Sequence, residues 1–193
     1  MKVPAYNKEN RKVATGFTPL PKGNYVCKIM SIEETTYSSG KRGLKIYFDI
    51  AEGEYKDFYT KKYQESDKED KKWSFDAIYY LTIPYDGCEA YITDNWDTFW
   101  ANIEDSNNGY IFTGDEQSIK NKVFGGIFRL EQTEYEGNIY DHTKLFKTRI
   151  AQDIRDGKVD WVPKDKLVEV SAPAGDDSFI KVPEGIELDL PFK

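Results

Sequence analysis

Residue types that define several common classes of protein are scarce in this 193-residue chain. Only two cysteines occur, Cys27 and Cys88, which excludes a disulfide-rich scaffold and a zinc module with cysteine ligands. A single histidine, His142, is the one base that a Ser-His-Asp triad could use. Because it lies among charged residues of a strand-like segment, we interpret it as a surface or pairing residue. There is no P-loop and no dinucleotide-binding glycine motif.

Positive charge and long apolar runs are also limited. Lys and Arg number 27 against 34 Asp and Glu, for a net charge of -7. This balance excludes wholly basic, histone-like binding to nucleic acid, although it allows a local basic groove. No stretch approaches the ~18 apolar residues of a membrane span, and the first residues contain no apolar signal region. We therefore expect a soluble, cytoplasmic protein. Because nucleotide-binding motifs and the His/Cys spacing of metal sites are absent, we also expect no cofactor and no metal.

The chain is rich in aromatic residues, at 15%, and its apolar residues recur mostly with the two-residue period of β-strands. Leu44, Ile46, Phe48 and Ile50 alternate with polar residues, which is typical of a half-buried strand. Further strands are predicted at 24–34 and 54–63, and a strand or a short packed segment is predicted within 77–87. A hairpin is predicted from 123–135 and 139–150. Residues 64–74 are predicted to be an exposed loop. Gly125-Gly126 is interpreted as a bulge or a barrel corner.

Helical patterns are few. Trp96, Phe99, Trp100 and Ile103 recur at helical spacing behind an N-cap at Thr93 or Asp94, and this predicts one amphipathic helix with a core-facing side. A short helix is predicted at 151–156. Several strands and one capping helix favour a mainly β fold, an OB-like Greek-key barrel. We divide the chain into an N-terminal arm (1–22), the barrel (23–163), and a linker with an acidic C-terminal tail (164–193).

Basic and aromatic residues are interleaved in the first half of the barrel. Single-stranded nucleic acid is bound by cations that follow the phosphates and by aromatic rings that stack on bases. The predicted DNA-binding residues are Lys41, Arg42, Lys45, Tyr47, Tyr59, Lys61, Lys62, Tyr63 and Trp73. Arg129, Lys144, Lys147 and Arg149 add positive charge in the second hairpin. The alternative is an ordinary strand surface, since Tyr favours strands and Lys is common at edges.

A metal nuclease is a weaker alternative. Asp49, Glu54 and Lys56 have a faint likeness to a nuclease site in which carboxylates hold Mg²⁺ beside a lysine. Their spacing around a tight turn is short for such a site, so we interpret them as solvated charges and expect no enzyme activity.

The C-terminus carries a short motif, Asp189-Leu190-Pro191-Phe192, followed by Lys193. With its acidic surroundings, it resembles the tip of bacterial and phage single-stranded-DNA-binding proteins, which have an OB domain, a linker and a closing D-(I/L)-P-F pattern. This resemblance implies that these four residues bind replication or repair proteins.

A broader resemblance covers residues 17–168 and includes GNYVCKIMSIEET, GLKIYFDIAEGEYKD and IKNKVFGGIFRLEQTEYEGNIY. These segments look like small phage and prophage proteins that are encoded near recombination genes and regarded as single-stranded-DNA-binding. The resemblance implies sequence-nonspecific binding in replication or recombination inside a bacterial host. Homo-oligomerisation is left open. The alternative function is a protein-interaction module, such as a phage adaptor or an inhibitor of a host factor, without nucleic-acid binding.

Overall fold

The computed structural model describes residues 18–168, except 68, 160 and 162. This part of the chain is mainly β. Its strands and helices follow in the order β1 (Gly23–Thr36), β2 (Arg42–Ile50), α1 (Phe58–Glu65), β3 (Ile78–Thr82), α2 (Ala90–Ser106), β4 (Val123–Tyr135), β5 (Asn138–Arg149) and α3 (Ala151–Arg155). Short 3-10 turns lie at Phe75–Ala77 and Glu116–Ile119. None of the helices described here is long and apolar enough to cross a membrane.

The strands form one antiparallel sheet in the order β3-β2-β1-β4-β5. Strands β1 to β3 follow one another as a meander, and the chain then returns through α2 to place β4 beside β1. That arrangement is a Greek key. It agrees with the predicted OB-like barrel, which is a partly open five-stranded fold. The sheet is not closed, because β3 and β5 remain its two edges.

Side chains bridge the gap between these two edges. The 3-10 turn that precedes β3 faces β5, and the Asp76 carboxylate lies 3.0 Å from Nδ1 of His142. The Lys144 ammonium sits 3.5 Å from the centroid of the Phe75 ring. His142 therefore has a pairing role, as predicted, and the pairing joins the two open edges of the barrel.

The core follows the alternation predicted from the sequence. Ile46 and Phe48 of β2 are fully buried, and the Phe48 ring makes edge contacts with Phe124 and Phe128 of β4. Helix α2 covers this layer with Phe99 and its neighbours Trp96, Trp100 and Ile103. The predicted core face of the helix is confirmed. Its start is corrected to Ala90, with Glu89 at the N-cap position in place of Thr93 or Asp94.

The predicted strand at 54–63 is wrong. Residues 53–57 form a turn, and helix α1 begins at Phe58. Asp57 adopts a left-handed backbone conformation and makes no cap with its side chain. The buried carboxylate of Asp49 replaces that cap by accepting hydrogen bonds from the backbone N–H groups of Tyr59 and Thr60. Because this cap comes from a neighbouring strand, the local pattern could not reveal the helix.

The second hairpin and the short helix are confirmed, at 123–135, 138–149 and 151–155. The register of β4 against β5 shifts between Ile127 and Phe128, directly after the predicted corner at Gly125-Gly126. A Cβ atom on Gly125 would lie 2.6 Å from the Ile154 side chain and 2.8 Å from the Ile150 carbonyl oxygen. Glycine therefore allows α3 to approach the sheet. Most of the predicted arm and tail lies outside the described residues.

Candidate nucleic-acid interface

The outward side chains of β2 lie at the centre of one surface of the barrel. Since residues directly opposite each other share a face of the sheet, the strand register determines their neighbours. Lys45 lies between Glu33 of β1 and Tyr80 of β3. Two residues further along β2, Tyr47 lies on the same side as Lys45. We call the outward surface formed by Glu33, Lys45, Tyr47 and Tyr80 the β2 face.

Two tyrosines meet at one end of the β2 face. The ring centroids of Tyr37 and Tyr80 are 6.4 Å apart, and Tyr80 is 48% exposed. The Tyr37 ring lies over Gly43, where any Cβ atom would overlap it. The glycine thus gives the ring a place against the sheet, beside Tyr80. Tyr37 is half-buried, whereas the exposed Tyr80 side chain is available to stack on a base.

Two of the predicted cations lie where β2 begins, Lys41 at the end of the β1–β2 loop and Arg42 as the first residue of the strand. The Lys41 ammonium lies 4.8 Å from the centroid of the Tyr85 ring, and a hydrogen bond with Tyr85 raises the pKa of this lysine. Arg42 Nε donates a 2.6 Å hydrogen bond to Glu34. Lys41 is thus an exposed cation beside an aromatic ring, whereas the charge of Arg42 is opposed by a carboxylate.

A shallow cavity of about 280 Å³ adjoins the other end of the β2 face. We call it the Tyr47 cavity. It is lined by Met30, Ser31, Glu33, Tyr47, Tyr63, Lys71 and Trp73. The ring centroids of Tyr63 and Trp73 are 6.0 Å apart. The Tyr47 hydroxyl donates a 2.9 Å hydrogen bond to Oε2 of Glu33. Burial and this hydrogen bond both raise the pKa of Tyr47.

A second cavity, of about 460 Å³, lies on the far side of Tyr63, which lines both cavities. We call it the seam cavity because Asp76 and His142, which join the barrel edges, line it together with Lys62 and Lys72. The Lys62 ammonium lies 3.5 Å from the Ser74 hydroxyl, and burial lowers the pKa of this lysine. The β2 face and the two cavities therefore form a continuous band of rings and cations, which also includes the carboxylates of Glu33, Asp70 and Asp76.

The structure brings most of the predicted DNA-binding residues to this band. Lys45, Tyr47, Lys62, Tyr63 and Trp73 lie on the β2 face or line the two cavities. Lys41 and Arg42 lie in or beside the β1–β2 loop. Lys61 is exposed on α1, and its ammonium donates to the Lys56 carbonyl oxygen at 2.8 Å.

The prediction that Tyr59 binds DNA is wrong. This residue is only 2% exposed and packs against Phe48 and Phe58 in the core, so its ring has no face to offer a base. As a helical residue it faces inward, whereas the predicted strand would have turned it outward. The residue that sequence analysis missed in this role is Tyr80, whose ring is exposed beside the half-buried Tyr37. Tyr80 is placed opposite Lys45 only by the register of β3 against β2.

The second hairpin adds less free positive charge than its sequence indicates. Arg129 forms hydrogen bonds of 2.6 and 2.8 Å with Glu131 and covers the Phe146 ring. Lys144 covers Phe75, and burial lowers the pKa of this lysine. The hairpin tip, residues 130–143, has four carboxylates and no Lys or Arg. The tip therefore has the wrong sign of charge to bind phosphates.

The structure does not support a metal site at Asp49. The interpretation of Asp49 as a solvated charge is wrong, because its carboxylate is fully buried and accepts hydrogen bonds from the N–H groups of Ile50, Tyr59 and Thr60. Glu54 and Lys56 are exposed, as that interpretation expects. Within the described residues, no group of three or more His, Cys, Asp or Glu side chains is placed to hold a metal ion. The Asp189-Leu190-Pro191-Phe192 motif lies outside the described residues.

No protein-family model matches the chain, and no curated protein matches it in sequence.

Proposed function

We propose that the protein binds single-stranded DNA, with little sequence preference, along the band formed by the β2 face, the Tyr47 cavity and the seam cavity. The observation that carries this proposal is the lining of the Tyr47 cavity, where three aromatic side chains, Tyr47, Tyr63 and Trp73, meet Lys71 beside the outward face of β2. Strands 2 and 3 and the loop between strands 1 and 2 also form the oligonucleotide-binding surface of OB folds.

In the proposed mechanism, cations contact phosphates and rings stack on unpaired bases. Lys41, Lys45 and Lys71 supply exposed or half-exposed ammonium groups along the band. Tyr80 at one end and Tyr63 at the other are both exposed enough to stack on a base. A duplex cannot present its bases to these rings without unpairing, so single strands are the expected ligand.

The resemblance to phage and prophage proteins favours a role in replication or recombination in the cytoplasm of a bacterial host. The role we propose is binding and not catalysis. On the same resemblance, Asp189, Leu190, Pro191 and Phe192 would recruit a replication or recombination protein.

Fluorescence anisotropy tests the proposal with labelled oligo-dT and a duplex of equal length, each at low and moderate salt. We expect much tighter binding of the single strand and an affinity that falls with salt, because bound phosphates release counterions. The triple variant Lys45→Ala, Tyr47→Ala, Tyr63→Ala should bind weakly, and Lys158→Ala, which follows α3, should bind normally. Equal affinity of the triple variant and the unchanged protein would reject the proposed site.

A second candidate function is protein binding through the tip of the β4–β5 hairpin. Tyr135 is 65% exposed there, and Ile139 and Tyr140 are also exposed. The carboxylates of Glu134, Glu136 and Asp141 surround these apolar side chains. Such a surface is complementary to a basic protein partner.

The two candidates are separated by variants of the tip. If the protein acts by binding a basic protein, the combination Tyr135→Ala and Tyr140→Ala should abolish that interaction and leave oligonucleotide affinity unchanged. If no oligonucleotide binds even at low salt, the tip becomes the leading candidate, and affinity capture with tip variants as controls is the next experiment.

A further inference from the structure

The Tyr47 cavity contains a carboxylate where a nonspecific phosphate-binding site needs none. Glu33 lines the cavity together with the three aromatic residues, and it lies on β1 directly opposite Lys45. A carboxylate repels phosphates, so its place among the rings needs an explanation other than binding the DNA backbone.

We infer that the Tyr47 cavity receives one unstacked base and that Glu33 makes it favour bases with an exocyclic amino group, cytosine above all, over thymine. This inference rests on the proposed function and adds a base preference to it. Elsewhere along the band, binding would remain independent of sequence.

The aromatic walls of the cavity suit a flat ligand. Trp73 packs partly against the hydrophobic core, and Tyr63 contacts it at a ring-centroid distance of 6.0 Å. At about 280 Å³, the cavity is near the lower end of the range for small-molecule sites. Since every base has an aromatic face, these walls would bind any base and would not distinguish one from another.

Discrimination would come from the Glu33 carboxylate. Its Oε2 atom already accepts the Tyr47 hydroxyl at 2.9 Å, which holds the carboxylate in place. An ionised carboxylate can accept about four hydrogen bonds, so the Tyr47 hydroxyl leaves accepting capacity for a base. Glutamate accepts from the N4 amino group of cytosine. Thymine instead has a carbonyl oxygen at that position, and two acceptors facing each other are unfavourable.

Lys71 and Lys45 are placed to bind the phosphates that flank such a base. Lys71 lines the cavity and is exposed, with its ammonium donating to the Gln64 carbonyl oxygen at 3.1 Å. Lys45 lies opposite Glu33, and its positive charge reduces the repulsion between the carboxylate and the phosphates of an approaching DNA strand.

The test compares oligo-dC with oligo-dT of equal length by anisotropy at pH 8, where oligo-dC does not fold through protonated pairs. We expect the unchanged protein to bind oligo-dC about fivefold or more tightly than oligo-dT, as a direct carboxylate contact to a base allows. Glu33→Gln should bring this ratio close to one, because an amide can also donate to thymine. Glu34→Gln is the matched control, since it removes the same charge from a neighbour paired with Arg42.

Three outcomes are distinguishable. Equal affinity for the two oligonucleotides in the unchanged protein would overturn the base preference, while the proposed function would stand if Tyr63→Ala weakened binding to both. A preference that persists in Glu33→Gln, or that Glu34→Gln removes equally, would overturn the role of Glu33. Absence of binding to any oligonucleotide would reject the proposed function and the base preference with it. Circular dichroism of each variant checks that the fold is intact.

Discussion

The carboxylate of Asp49 accepts a 2.9 Å hydrogen bond from the backbone N–H of Tyr59, ten residues later in the chain. Together with the bonds from Ile50 and Thr60, it joins the end of β2 to the first turn of α1. Because Asp49 is fully buried, its removal would leave backbone N–H groups without partners in the core. Helix α1 carries Tyr63, so this capping interaction also positions one wall of the Tyr47 cavity.

We predict that Asp49→Ala lowers the free energy of unfolding by about 2–4 kcal/mol, because buried hydrogen bonds to a charged acceptor are lost. Urea denaturation followed by circular dichroism measures the change. Asp94→Ala, at an exposed position on α2, is the control and should remain within about 0.5 kcal/mol of the unchanged protein. Similar stability of both variants would contradict the capping role.

Lys45 should contribute to DNA affinity through its charge. In Lys45→Ala, the slope of log affinity against log salt should become shallower by about 0.7, the value for one phosphate contact to a single strand. Lys158 follows α3 and pairs with Asp153 and Asp156. The salt slope of Lys158→Ala should therefore equal that of the unchanged protein. If both variants keep the full slope, Lys45 does not contact a phosphate.

Tyr80 should contribute by stacking. Tyr80→Ala is expected to weaken oligo-dT binding by about 1–3 kcal/mol, the range for one base on an aromatic side chain, with little change in the salt dependence. Tyr135→Ala removes a tyrosine of the acidic hairpin tip that is even more exposed than Tyr80, and this variant should bind oligo-dT normally. The opposite pattern would move the binding surface from the β2 face to the tip.

Gly125 should not tolerate a side chain. In Gly125→Ala the new methyl group would press on the Ile154 side chain and the Ile150 carbonyl oxygen, so we expect a loss of about 1–3 kcal/mol from overpacking. At Gly23 a Cβ would meet only ordinary contacts at 3.6 Å or more, and Gly23→Ala should be close to neutral. Thermal unfolding of the two variants compares these sites directly, and equal midpoints would show that α3 can move away.

The stability of the protein should fall between about pH 10 and pH 12. Burial, with the nearby Tyr55 and Glu54, raises the pKa of Tyr25 to about 12, whereas an unfolded tyrosine titrates near 10. The folded state therefore favours the protonated phenol. This contribution is complete below about pH 10 and is lost as the pH rises towards 12. Burial of Tyr59 raises its pKa as well.

Urea midpoints across this pH range test the effect. Tyr25→Phe removes the titrating group, so its stability should fall less steeply, although it should start about 1 kcal/mol lower because the hydrogen bond to the Pro21 carbonyl is lost. Lys62 and Lys144, whose pKa values are lowered by burial, act in the opposite direction but are present in both proteins. An unchanged slope in Tyr25→Phe would contradict the assignment.

Local patterns in the sequence were sufficient for much of the fold. The alternation of Leu44, Ile46 and Phe48 placed β2 correctly, because side chains of a strand point to opposite faces in turn. The helical spacing of Phe99, Trp100 and Ile103 identified the buried side of α2 for the corresponding reason. The β4–β5 hairpin followed from two strand-forming segments around Glu136-Gly137-Asn138. These features depend only on neighbours in the chain.

The candidate site depended on contacts between distant residues. The carboxylate of Asp49 caps the helix at 58–65, in which Tyr59 is a core residue. The register of β3 against β2 places Tyr80 beside Lys45.

The sequence by itself determined the strands and helices that have a regular apolar period, and it determined which lysines and aromatic rings are present to form a site. Only the tertiary structure decided which of these residues share a surface, because register, remote capping and the approach of one chain segment to another are set by packing and not by local periodicity.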